Sequence, residues 1–117
     1  SNPYVSIAPI LSLPSVRNQL RDVVVPIIAV SPIVGGQAIK GPAAKMMREL
    51  GCNPSALSVA KEYENVLDGF VIDRSDATEA SRIEEIGQRV LITETIMTSI
   101  KVKKSLAKNI MDFANEI

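Results

Sequence analysis

The sequence predicts an α/β protein built on a parallel sheet with helices on both faces. Three observations predict it. Short runs rich in Val and Ile alternate with longer stretches whose apolar residues recur every three or four positions. The first such run, Val23-Val-Val-Pro-Ile-Ile-Ala-Val30, is apolar at successive positions, as suits a strand buried on both faces. Each run opens into a loop and then a helical pattern, giving three β-α units that right-handed crossovers would join.

The elements follow in order. Ser1 to Leu11, with prolines at 3 and 9, reads as a loop leaving a strand. Ser12 is placed to cap a helix over Leu13–Arg21, with Leu13, Val16 and Leu20 on one face. After the Val23–Val30 strand and its loop, Gly41-Pro42 starts a helix to Leu50. Ala43, Met46, Met47 and Leu50 form its apolar stripe, and Gly51 stops it. Asn53-Pro54 starts another, to about Val66, with Leu57, Ala60, Tyr63 and Leu67 inward. Asp68-Gly69 turns into the strand Phe70–Asp73, and a helix from Ala77 to Ile86 follows, ending at Gly87. Arg89–Thr93 is the third strand. The last helix, Lys101 to Glu116, places Val102, Leu106, Ile110, Phe113 and Ile117 at helical spacing. The sum is a Rossmann-like three-layer sandwich.

Composition narrows the function. A chain of 117 residues is one domain or a portion of one, and its 46% hydrophobic content is ample for a core. Thirteen basic residues balance thirteen acidic ones, which argues against a nucleic-acid footprint. Aromatics at 3%, without Trp, leave no platform for stacking bases. The single Cys52 cannot form an internal disulfide, and no run is long enough to span a membrane, so a cytoplasmic location is expected. The absence of histidine removes the commonest general base and transition-metal ligand. A bound metal would then be Mg²⁺, held by oxygen ligands and substrate phosphates.

The chemistry gathers in Ser31-Pro-Ile-Val-Gly-Gly-Gln-Ala-Ile-Lys-Gly-Pro-Ala43. A strand, a glycine loop and a helix in that order can hold an anion on backbone N–H groups and a helix N-terminus. The block fits neither G-x-x-x-x-G-K-[ST] nor G-x-G-x-x-G. Gly35 and Gly36 would let backbone approach phosphate closely, Ser31 could donate a hydroxyl, and Lys40 supplies a charge. The plainer roles stand beside these: a tight turn at Gly35-Gly36, a solvated Lys40, and turn or cap duties for Ser6, Asp73 and Thr93.

Ser1-Asn2-Pro3, Ser6, Pro9-Ile10-Leu11, Ser31–Gly36 and Lys40–Ala43 resemble the 2-phospho-L-lactate transferase (CofD-like) family. Val71-Ile72-Asp73 and Val90–Met97 continue the match in order and spacing, across essentially all 117 residues. The resemblance implies that residues 1–117 are the C-terminal portion of a single transferase domain whose N-terminal half is absent. It implies transfer of a 2-phospholactyl or related phosphoacid group from a guanosine diphosphate-linked donor to the deazaflavin Fo, releasing GMP, in coenzyme F-420 biosynthesis. Mg²⁺ is the expected cofactor, with its ligands in the N-terminal half, so this portion alone would be inactive. Ser1, Asn2, Ser6, Ser31, Gly35, Gly36, Lys40 and Gly41 are the expected contacts to substrate or nucleotide phosphate. Asp73, Thr93 and Thr95 are secondary candidates; no catalytic or metal-binding residue is assigned. The open sheet edge leaves room for a homodimer. The alternative is a related non-enzymatic branch that binds nucleotide sugars and regulates metabolism. A third reading is a packing module whose loop takes no ligand.

Overall fold

Alternating apolar residues build the sheet from its middle outward. In the computed structural model, which describes residues 2–117, Gly69–Asp73 (here β4) is buried at every position. It lies between Ile28–Val30 (β1) and Arg89–Thr93 (β5), and all three run parallel. Ile28 is opposite Gly69, and Gly69 opposite Arg89. Successive side chains of β4 point to opposite faces. Phe70 and Ile72 enter one core with Ile33, Met47, Val59 and Ile83. Val71 enters a second with Leu106 and Phe113, edged by Ile28, Leu91, Ile110 and Ile117. Helices therefore cover both faces, and the α/β sandwich is the fold.

The helices of the first layer are Ala43–Glu49 (α3), Ala56–Glu62 (α4) and Ala80–Glu85 (α5), while Ile100–Glu116 (α6) alone fills the second. Ser99 caps α6 by accepting a hydrogen bond from the Val102 N–H at 3.2 Å, and Ser55 caps α4 through the Ser58 N–H at 3.0 Å. A 3₁₀ segment, Arg74–Glu79, joins β4 to α5. No helix among the described residues is long and apolar enough to cross a membrane.

Several expectations are corrected. The opening segment is helical: Pro3–Ile7 forms a π-turn, followed by Ala8–Leu11 (α1) and Pro14–Asp22 (α2). Proline is tolerated in a first helical turn, and both Pro3 and Pro9 occupy one. Ser12 ends α1 by donating its hydroxyl to the Pro9 carbonyl at 2.7 Å, and Leu13 stands at the start of α2 without a side-chain cap. The first strand begins only at Ile28. Pro26 lacks the N–H a ladder needs, and Val24 before it is 100% exposed. Leu50, placed in an apolar stripe by its spacing, is exposed past the end of α3.

Candidate functional site

The carboxyl ends of β1, β4 and β5 meet a set of loops whose backbone is fixed by side-chain oxygens. Ser31 extends the ladder of β1 by donating its N–H to the Val71 carbonyl at 2.8 Å. Its buried hydroxyl donates to the Ile33 carbonyl at 2.8 Å and accepts from the Ile33 N–H at 3.2 Å, turning the chain sharply. Ile33–Val34 (β2) and Gln37–Ala38 (β3) then pair as an antiparallel hairpin. Gly35 and Gly36 form its two-residue turn with φ of +58° and +81°, the type I′ geometry that suits glycine. The Gly35 N–H donates to both carboxylate oxygens of the buried Asp76, at 3.1 and 3.2 Å. A protein carboxylate thus occupies the donor that the sequence offered to a phosphate.

Asp73, at the end of β4, is buried and accepts four hydrogen bonds. The Ser75 N–H and hydroxyl donate to one oxygen at 3.0 and 2.6 Å; the Thr95 N–H and hydroxyl donate to the other at 3.0 and 3.1 Å. Burial by itself would push the Asp73 pKa up. The bonds from Ser75 and Thr95 outweigh it and lower the pKa to about 2, so this carboxylate is ionised at neutral pH.

Between these fixed loops lies a cleft of about 490 Å³. Val30, Pro32 and Ile39 line one side, Ile96 and Met97 the other, with Ser31 and Thr95 at the strand ends. Lys40 and Lys103 also line it. Lys103 belongs to the first turns of α6, where Lys101 and Lys104 accompany it. Cations at a helix N-terminus oppose its dipole. The ion pairs among the described residues, Lys45–Glu49 and Lys108–Asp112, involve none of these lysines. The cleft therefore combines apolar walls with positive charge, a surface suited to a partly apolar molecule bearing an anion. A smaller hollow of about 190 Å³, lined by Asn2, Pro3 and Tyr63, shares Val30 and Pro32 with it.

The predicted residues divide accordingly. Ser31, Lys40 and Thr95 come together in the cleft. Asn2 caps the π-turn by accepting from the Tyr4 and Val5 N–H groups at 3.0 and 3.2 Å, and borders only the smaller hollow. Ser6 is exposed on that turn, and Ser1 lies outside the described residues. Gly35 and Gly36 form the hairpin turn, and Gly41 has a left-handed φ of +74° just before α3. The start of α3 does not line the cleft. The Thr93 hydroxyl accepts from Asn109 of α6 at 3.0 Å, and Asp73 faces Ser75 and Thr95. Sequence reasoning missed Lys103 and Asp76. The spacing Asp73-x-x-Asp76-x-x-Glu79 was the available signal for the second.

Residues 1–111 match the family model described as 2-phospho-L-lactate transferase CofD. The chain is 43% identical over 117 residues to a 2-phospho-L-lactate transferase of Methanocaldococcus jannaschii, covering 100% of this chain and 36% of the relative. It is 41% identical over 116 residues to one of Methanococcoides burtonii, covering 98% of this chain and 37% of the relative. One of Methanosarcina barkeri is 38% identical over 117 residues, with 100% and 37% coverage. The chain spans little more than a third of the length of these curated relatives.

Proposed function

The chain belongs to the 2-phospho-L-lactate transferase CofD family, and from that premise we propose that its cleft serves phosphoacid transfer to a deazaflavin. The observation that carries the reading is the pairing of apolar walls with Lys40 and Lys103 at the carboxyl edge of a parallel sheet, where α/β proteins hold ligands. The planar ring of Fo would lie against Ile39, Ile96 and Met97, and the lysines would face the phosphates of the guanosine diphosphate-linked donor.

In the reaction, a hydroxyl oxygen of Fo bonds to the phosphorus that carries the acid. The bond from that phosphorus to the GMP oxygen breaks, and the hydroxyl proton passes to solvent. Such a transfer needs alignment and charge neutralisation rather than a covalent intermediate on the protein. Ser31 and Thr95 fix the backbone, and the two lysines offset the charge that reaches GMP. Mg²⁺ does not fit these residues. No group of three His, Cys, Asp or Glu side chains among those described could hold a metal, and Asp73 and Asp76 already accept from backbone N–H groups. Its ligands belong, on this proposal, to another part of the full-length protein.

Calorimetric titration of the full-length protein with GDP, then with Fo, tests the reading. Charged hydrogen bonds contribute about 1.5–3 kcal/mol each, and about 1.4 kcal/mol is tenfold in affinity. Replacing both Lys40 and Lys103 by Ala should weaken GDP binding by roughly tenfold or more. Unchanged affinity in that variant removes the phosphates from this cleft. A wild-type protein that ignores Fo, binds a nucleotide sugar and transfers nothing would be the regulator instead.

A further inference from the structure

The end of β4 and the segment after it carry three carboxylates at three-residue spacing: Asp73, Asp76 and Glu79. Arg74–Glu79 is a 3₁₀ segment broken by the non-helical backbone of Asp76 (φ −105°, ψ 15°), with Asp73, in extended conformation, as its N-cap. Each carboxylate accepts from a backbone N–H on a different element. Asp73 holds Thr95 beyond β5 at 3.0 Å, Asp76 holds Gly35 at the hairpin turn at 3.1 Å, and Glu79 holds Leu57 in the first turn of α4 at 2.9 Å. Charge-assisted bonds of this kind are roughly twice as strong as neutral ones.

The first two attachments bear on the cleft. Thr95 leads directly to Ile96 and Met97, and the hairpin leads directly to Ile39 and Lys40. Both walls are thus tied to carboxylates three residues apart, at the end of β4 and in the short segment that follows it. We propose that Asp73 and Asp76 are positioning residues, which set the placement of the two cleft walls without touching the ligand. Only the link from wall placement to GDP and Fo affinity rests on the proposed function; the wall placement itself can be read without a ligand.

The two carboxylates make opposite demands on an amide substitute. Both Asp76 oxygens face the same N–H, so Asp76→Asn can keep an acceptor there. Each Asp73 oxygen faces its own pair of donors, so Asp73→Asn must aim an NH₂ group at one pair. Hydrogen exchange on the full-length protein, read at single amides, separates the cases. Asp76→Ala should speed exchange at Gly35 by roughly tenfold or more while Val71 in β4 stays protected, and Asp76→Asn should restore most of that protection. Asp73→Asn, by contrast, should itself speed exchange at Thr95. If Asp73→Asn fails to fold, Thr95→Val removes one of the same bonds at nearly constant shape. Titration with GDP and Fo should show weaker binding in Asp76→Ala and recovery in Asp76→Asn.

Unchanged exchange at Gly35 and Thr95 overturns the proposal, as does faster exchange spread evenly over the sheet, which reports only lost stability. Loosened amides with unaltered GDP and Fo affinity overturn it too, because the walls would then not depend on these residues. If the wild type binds neither probe, the transferase reading fails, and the exchange pattern with its Asn rescue still decides whether the carboxylates position the walls.

Discussion

The Asp73 carboxylate is held charged by four donors in a place where burial alone would favour the neutral acid. Its folded pKa of about 2 lies below the ordinary 3.8, so the folded protein binds this proton less readily than the unfolded chain. The stabilisation is therefore complete above about pH 5 and fades as pH falls through 3.8 toward 2. From the shift, its size at neutral pH is on the order of 2 kcal/mol. Urea unfolding of wild type and Asp73→Asn should show a constant gap from pH 7 to 5 that closes as pH approaches 2. A gap that persists at pH 2 would mean the carboxylate's charge is not what the four donors recognise. The chemistry of this residue was only half legible in the sequence. Asp73 and Thr93 at strand ends announce a polar site, but whether Asp73 faces a ligand or its neighbours depends on how β4 and β5 align. Asp76 was less legible still, since its partner Gly35 is distant in sequence and the two glycines already suggested an anion cradle by themselves.

At the scale of elements, α6 closes against β4 through an unusually tight contact. A Cβ on Gly69 would lie 2.7 Å from Phe113 and 3.1 Å from Ile117, and the Phe113 ring is itself buried against Val71. Gly69→Ala should force that ring aside and destabilise the fold by about 1–3 kcal/mol, the usual cost of overpacking. Thermal melting checks this, and Phe113→Leu in the same chain should recover part of the loss by vacating the space. An additive double variant would place the strain elsewhere. Helical periodicity made α6 readable to within a residue, and β4 and β5 were readable from their compact apolar runs. The Val23–Val30 run misled, because composition cannot tell a strand from an apolar approach to one. Pro26 was the clue. The opening residues misled in the other direction: Pro3 and Pro9 read as loop markers, yet both sit where a helix accepts proline.

The molecule as a whole leaves β1 and β5 with one strand neighbour each among the described residues, and Val23–Val25 exposed beside β1. Unpaired edges flanked by apolar residues attract further strands. The 117-residue chain by itself should therefore associate with rising concentration, and Val24→Lys should shift it toward monomer in sedimentation velocity. A chain that stays monomeric at every concentration would show that these edges protect themselves. The sequence made the layered architecture plain through its β-α alternation, but not which edge stays open, since strand order follows from pairing between distant segments. The same pairing has a consequence in time. The register joins Gly69 to Arg89 across twenty positions but Ile28 to Gly69 across 41. Doubling a loop adds only about 0.6 kcal/mol to the entropy of closing it, yet the shorter closure is favoured. Folding should then begin with β4 and β5 zipping together around α5, with β1 docking afterwards and bringing its hairpin to Asp76. The cleft should then be the last feature to be assembled, and pulse-labelling hydrogen exchange during refolding should show β4 and β5 amides protected before those of the hairpin.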